Sequence, residues 1–113
     1  MSEFIMKSLN NCDKKELCNI NFDNSYANIA TNKYNYKNIK IYDLTIPQLN
    51  ILKQTALSVG ADCATHRDVI TGKVEKSDCI LGGSISQLKK ISEKLRQQPF
   101  KLSQLSNFLT SFQ

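Results

Sequence analysis

The feature that most constrains the fold is a pattern that occurs twice, an apolar run followed at once by a helix-capping motif. Thr45 stands three positions before Gln48, and Ser84 stands three positions before Gln87. In this spacing the hydroxyl accepts from the third helical N–H, while the glutamine side chain reaches back to the N–H of the capping residue. The preceding runs, residues 39–44 and 78–82, have the composition of strands. The sequence therefore predicts two strand-to-helix units.

Apolar side chains recur at helical spacing after each capping motif and again near the end of the chain. Pro47 lies in the first turn of the first helix, where its missing N–H costs nothing, and Gly60 supplies the left-handed position that ends this helix. Pro99 ends the second helix, and a last helix begins near Ser103. The expected buried positions are Leu49, Leu52, Ala56 and Val59 on the first helix, Ile85, Leu88, Ile91 and Leu95 on the second, and Leu102, Leu105, Leu109 and Phe112 on the last.

A third apolar run, residues 61–65, predicts a short buried strand between the two units, and residues 68–71 predict one helical turn closed by Gly72. Strands that alternate with helices favour a layered α/β structure. We therefore expect an α/β domain with a small three- or four-stranded sheet that is at least partly parallel, packed with helices and ending in two C-terminal helices.

Residues 1–38 differ from the remainder because they are rich in asparagine, which favours turns and caps over long helices. We interpret them as an N-terminal segment of the same domain, with residues 39–113 forming the α/β part. The expected elements of this segment are a strand around Lys7, a helix capped by Asp13 that runs through Leu17 and Ile20, and a helix capped by Asp23 or Asn24 that runs through Tyr26, Ile29 and Ala30.

Composition excludes several classes of protein. The 113 residues are too few for a (β/α)₈ barrel, which needs about 200 or more. The net charge is +5, but the lysines are spread along the chain, so we expect a solvated surface rather than a nucleic-acid-binding one. We find no targeting signal and no apolar run of about 18 residues, which predicts a cytoplasmic protein without a membrane span.

The four cysteines form no C-x-x-C pair. Cys63 and Cys79 lie in apolar runs, where cysteine usually acts as a small buried hydrophobe. Cys12 and Cys18, even with the single histidine His66, match no zinc spacing. We therefore expect neither a metal site nor a cofactor.

The densest polar cluster follows the short middle strand and consists of Asp62, Thr65, His66, Arg67 and Asp68. Open α/β sheets bind ligands at such strand ends, and an aspartate there can orient a histidine for acid–base chemistry. The alternative, which we favour, is a surface loop in which Asp68 caps the next turn. We therefore treat these five residues as binding candidates without a catalytic assignment.

A second candidate is Gly82-Gly83-Ser84, at the predicted strand-to-helix junction. Backbone N–H groups at a helix N-terminus attract anions, and glycine lets a phosphate approach closely. The alternative is a tight turn in which Ser84 only caps the helix. The chain has no longer glycine-rich loop and no following lysine of the phosphate-binding type, so we favour the capping role.

Several separated blocks occur in the order found in one known family. They read LKQTALSVG at residues 52–60, DCATHRD at 62–68, SQLK at 86–89 and QPFKL at 98–102. Over about residues 39–112, these blocks resemble the segment that precedes the barrel in long-form bacterial dihydropteroate synthases, where the last block reads QPFGL. The resemblance implies a link to folate biosynthesis, in which this family of transferases joins p-aminobenzoate to a pterin pyrophosphate.

The family's chemistry resides on a (β/α)₈ barrel, which we expect this chain to lack. The resemblance therefore transfers no catalytic residue, and we expect the chain to be inactive alone. One hypothesis is an accessory domain, either a fragment of a split or truncated gene or a stand-alone relative, that packs against a synthase barrel or self-associates. The other is an independent small-ligand or protein-binding module. Phe108 lies off the last helical stripe, where it marks an interface or packs under the N-terminal segment.

Overall fold

The computed structural model describes residues 4–69 and 71–112. Its elements follow the predicted alternation of strands and helices from Tyr36 onward. In chain order they are α1 (Lys14–Asn19), α2 (Ala27–Tyr34), β1 (Tyr36–Thr45), α3 (Ile46–Ser58), β2 (Asp62–Thr65), β3 (Lys76–Ser84), α4 (Ile85–Leu95), α5 (Leu102–Leu109) and a closing 3₁₀ turn (Thr110–Phe112). Among the described residues, no helix has both the length and the apolar character needed to cross a membrane.

The three strands form one sheet in the order β1-β3-β2, and both pairings are antiparallel. The predicted α/β class, the three strands and the C-terminal helices are confirmed. The expected parallel pairing is absent from the described sheet. Helix α3 connects β1 to β2, which do run parallel to each other, but β3 lies between them. Residues 66–75 are too few for the crossover of a dozen or more residues that a parallel pair needs, so β3 returns beside β2 as a hairpin.

A bulge keeps one face of β1 in phase with the core. Ile41 lies opposite Cys79 and Leu44 lies opposite Ser77, so β1 has one extra residue in this interval. Asp43 adopts a left-handed conformation with φ 57°, and its N–H donates to the Asp78 carboxylate at 3.0 Å. The extra residue returns Leu44 to the buried side of the sheet, where it is 8% exposed.

The core lies between the sheet and the helices α3, α4 and α5, and it contains most of the predicted stripes. Leu49, Leu52 and Ala56 are buried on α3, whereas Val59 is only partly buried. On α5, Leu105 is partly buried, and the side chain of Phe112 lies outside the described part of the chain. The remaining predicted positions that are buried are Leu88, Ile91, Leu95, Leu102 and Leu109.

Both helices predicted in the N-terminal segment are present as α1 and α2, and at α1 the Asp13 carboxylate accepts from the Glu16 N–H at 3.0 Å as expected. The predicted cap of α2 is wrong. Asp23 instead accepts from the hydroxyl and N–H of Ser25, which lowers the pKa of Asp23, and α2 begins after Tyr26 without a side-chain cap. The predicted strand around Lys7 is also wrong, because residues 4–9 pair with no strand.

A left-handed pair, Phe100 at φ 62° and Lys101 at φ 65°, connects the end of α4 to α5. Side chains with a Cβ are strained in this region by about 1–2 kcal/mol, whereas glycine is not. We therefore expect Lys101→Gly to raise the free energy of unfolding by about 1 kcal/mol, measured by urea denaturation. Lys89→Gly, at an exposed position inside α4, is the matched control and should lose about 1 kcal/mol. Equal losses in the two variants would contradict the assigned backbone.

Candidate functional site

The predicted five-residue cluster is divided between the two ends of β2, and only Asp62 lies beside the glycines. Asp62 begins the strand and faces Gly82 across the ladder, whereas Thr65 ends it opposite Cys79. Thr65 is therefore displaced from Gly82 by three strand positions, about 10 Å at a rise of roughly 3.3 Å per residue. The structure brings Asp62 beside the glycines but leaves the Thr65–Asp68 loop at the other end of the strand.

The Thr65–Asp68 loop is closed by its own histidine. The Nδ1 atom of His66 accepts from the Asp68 N–H at 2.9 Å and lies 3.8 Å from the Asp68 carboxylate. A neutral imidazole that accepts at Nδ1 carries its proton on Nε2. The His66 side chain is 44% exposed, Arg67 is exposed, and Val69 is buried beneath the loop. These contacts make a clasped surface turn, although Asp68 contributes its backbone rather than a side-chain cap.

Gly82, Gly83 and Ser84 lie inside β3 rather than in a turn, and they pair with the first residues of β1. The Ser84 hydroxyl accepts from the Gln87 N–H at 3.1 Å, which confirms the predicted cap. The Ile85 N–H donates to the Asn35 carbonyl at 2.9 Å. Two of the N–H groups that an anion would use at the start of α4 are therefore engaged within the protein.

Packing explains the glycine at position 83. A Cβ on Gly83 would lie 3.1 Å from the Cβ of Ala61 and 3.2 Å from Oε1 of Gln87. A Cβ on Gly82 would lie 2.8 Å from the Tyr36 hydroxyl. Ala61, which the Gly83 Cβ would meet, belongs to the short connection from α3 to β2, so its backbone has little room to shift. Glycine at position 83 therefore allows Ala61 and the Gln87 side chain to approach β3 closely.

Gln87 links two helices besides capping one of them. Its Oε1 accepts from the Ser84 N–H at 2.9 Å, and its Nε2 donates to the carbonyl of Val59, at the end of α3, at 3.3 Å. Gln48 repeats the arrangement, since its Oε1 accepts from the Thr45 N–H and its Nε2 donates to the Phe100 carbonyl at 2.8 Å. Glutamate would serve the cap equally well but has no amide donor.

This geometry makes Gln87→Glu an informative substitution. The variant keeps the capping acceptor and places an anionic oxygen against the carbonyl of Val59. We expect a loss of about 1–2 kcal/mol in the free energy of unfolding, because the carbonyl loses its donor and faces a negative charge. Gln97→Glu changes charge identically at an exposed position and should stay within about 0.5 kcal/mol of the parent. Equal urea midpoints for both variants would rule out the link to α3.

The side of the sheet away from α3, α4 and α5 is exposed. Residues that alternate with buried Ile39, Cys63 and Cys79 project there, and we call this surface the open sheet face. The Lys40 ammonium lies 5.1 Å from the centre of the Tyr42 ring. A shallow depression of about 290 Å³ is lined partly by Lys40, Ala64 and Ile80. The face consists of Tyr36, Asn38, Lys40, Tyr42, Asp62, Ala64, Asp78 and Ile80.

Sequence reasoning did not identify the open sheet face as one surface. Alternation along residues 36–42 was visible, but the opposing strand was not known. Within the described residues, no group of three or more histidine, cysteine, aspartate or glutamate side chains is arranged to hold a metal ion. The surface therefore offers mixed polar and aromatic contacts.

Comparison with known proteins gives one partial match. The chain is 42% identical over 72 residues to the bifunctional dihydropteroate synthase/dihydropteroate reductase of Helicobacter pylori (strain ATCC 700392 / 26695). The matched segment is 64% of this chain and 19% of that protein, so the chain spans about a fifth of its relative's length. No family model and no solved structure matches the chain.

Proposed function

We propose that this chain is a non-catalytic accessory domain of a dihydropteroate synthase-type protein. The observation that carries the proposal is the 42% identity over 72 residues to the bifunctional Helicobacter pylori protein. That length is far below the roughly 200 residues of a (β/α)₈ barrel, so the shared part is something other than a complete barrel. Because the name of the relative includes a dihydropteroate synthase, we propose that the accessory role serves folate biosynthesis.

The engagement of the polar groups supports a structural role. Asp62 accepts from the Cys63 N–H at 2.8 Å, His66 is held by Asp68, and Ser84 is used in the cap of α4. Each of these three side chains thus stabilises a turn, a strand end or a helix end. We propose that the domain acts through its surface, by contact with a synthase domain or with a second copy.

Phe108 is the side chain best placed for such a contact. It is 68% exposed on α5, so it does not pack under the N-terminal segment. Phe100 is 54% exposed in the turn before the same helix. Exposed aromatic rings are typical of interface anchors. We propose that the surface around α5 contacts the synthase domain.

The test is binding of the purified chain to the Helicobacter pylori protein from which the matched segment has been removed. We expect Phe108→Ser to weaken this association by about tenfold or more while unfolding at the parent's urea concentration. Leu57→Ser is the matched control, since Leu57 is 54% exposed on α3, and it should bind as the parent does. If the parent itself neither binds nor self-associates, measured by calorimetry and sedimentation, the accessory role is wrong.

A second function is favoured by the relative's name, which includes a dihydropteroate reductase activity. A shared segment too short for a barrel is a reasonable location for part of that second activity. The binding experiment therefore includes an assay of dihydropteroate synthesis and an assay of dihydropteroate reduction. Restoration of dihydropteroate reduction, but not of synthesis, when the chain is added back would favour a reductase contribution. Restoration of synthesis alone would favour the accessory role.

A further inference from the structure

Two cysteine thiols meet in the core on neighbouring strands. Cys79 pairs across the ladder with Thr65 and Cys63 pairs with Leu81, so the cysteines are diagonal neighbours. Both are free and buried, at 0% exposure for Cys63 and 2% for Cys79. Their side chains project from the same face of adjacent strands into the core. We propose that Cys63 and Cys79 form a dithiol that oxidises reversibly to a cross-strand disulfide.

The surroundings give the two sulfurs different roles. Cys79 is buried on the core side of the sheet, opposite Thr65 of the four-residue edge strand β2, and local opening of this short strand gives small oxidants a route toward the thiol. The hydrogen bond from Cys63 lowers the pKa of the Cys79 thiol, whereas contact with Cys79 and burial raise the pKa of Cys63. The thiolate is the form that attacks an oxidant. Cys79 is therefore the attacking residue and Cys63 the resolving one.

The reaction with hydrogen peroxide balances without another reactant. The Cys79 sulfur attacks one peroxide oxygen, the O–O bond breaks, and a sulfenic acid and one water form. The Cys63 sulfur then attacks the Cys79 sulfur, the S–O bond breaks, and the second water leaves as the S–S bond forms. Two electrons pass from the sulfurs to the peroxide, and the thiol hydrogens end in the two water molecules.

The strand arrangement predicts that the disulfide is readily reduced. Diagonal neighbours in an antiparallel pair have Cβ atoms somewhat less than about 7–8 Å apart, whereas a disulfide needs about 3.5–4.5 Å. Closing the bond must draw β2 toward β3. β2 can move because it is a four-residue edge strand with β3 as its neighbour in the sheet. A bond formed under such distortion is more easily reduced than an ordinary structural disulfide.

The experiment uses the full chain with Cys12→Ser and Cys18→Ser, which removes the two cysteines of the N-terminal segment. After hydrogen peroxide treatment and alkylation in denaturant, we expect a mass loss of about 2 Da, with both thiols protected and restored by dithiothreitol. Adding Cys63→Ser should abolish that loss. Oxygen addition without an S–S bond would overturn the proposal. So would two thiols that still alkylate after a dose that oxidises Cys12 and Cys18 in the unsubstituted chain.

Discussion

Leu52→Ala and Leu88→Ala are each expected to lower the free energy of unfolding by about 2–5 kcal/mol. Both side chains are 0% exposed, Leu52 on α3 and Leu88 on α4, between the sheet and the neighbouring helices. Truncation removes buried methyl groups and leaves a cavity that close-packed neighbours fill only in part. A domain of this size has only about 5–15 kcal/mol of stability, so either change removes a large fraction.

Leu57→Ala is the matched control for these variants. It removes the same atoms from α3 at a position that is 54% exposed, and we expect a loss of under about 0.5 kcal/mol. Urea denaturation followed by far-ultraviolet circular dichroism measures all three values. Losses below half a kcal/mol for both core variants would show that the helix faces are assigned wrongly.

The parts of the fold that could be predicted are those set by neighbouring residues. Thr45 and Gln48 are three positions apart, and the same is true of Ser84 and Gln87, so each capping box is written in one short stretch. The buried stripes were predictable for the same reason, because helical periodicity places Leu49 and Leu52 on one face.

Strand pairing was not predictable, because it depends on distant residues. The alternation of strands and helices correctly implies that β1 and β2 run in the same direction. Nothing local shows that β3 is inserted between them. The bulge at Asp43 was not predictable for the same reason, since its left-handed backbone is stabilised by Asp78, 35 residues later.

The candidate site was predictable in composition but not in arrangement. The polar residues around His66 and the glycines before Ser84 were identified, yet the structure separates them along β2. The choice of glutamine at both capping boxes was a usable signal, because glutamate serves the cap equally well and glutamine has an additional donor. The carbonyls that receive this donor, on Val59 and Phe100, could not be identified without the packed helices.

A buried serine pair between α4 and α5 is a feature that sequence reasoning missed. The Ser92 hydroxyl donates to the Ser106 carbonyl at 2.9 Å, and the Ser106 hydroxyl donates to the Ser92 carbonyl at 2.8 Å. The two hydroxyl oxygens are 3.0 Å apart, and the residues are 2% and 0% exposed. The reciprocal bonds satisfy both hydroxyls, and the small side chains let the helices approach closely.

We expect Ser106→Leu to lower the free energy of unfolding by about 2–4 kcal/mol, since overpacking costs about 1–3 kcal/mol and the lost hydrogen bonds about 1 kcal/mol more. Ser106→Ala removes the hydroxyl without adding volume and should lose only about 1 kcal/mol, because Ser92 still donates to the backbone carbonyl of residue 106. The difference between the two urea-derived values measures how much the α4–α5 contact depends on small size. If Ser106→Leu loses no more free energy of unfolding than Ser106→Ala, α4 and α5 are farther apart than the hydroxyl distances require. The assigned close packing of the two helices would then be wrong.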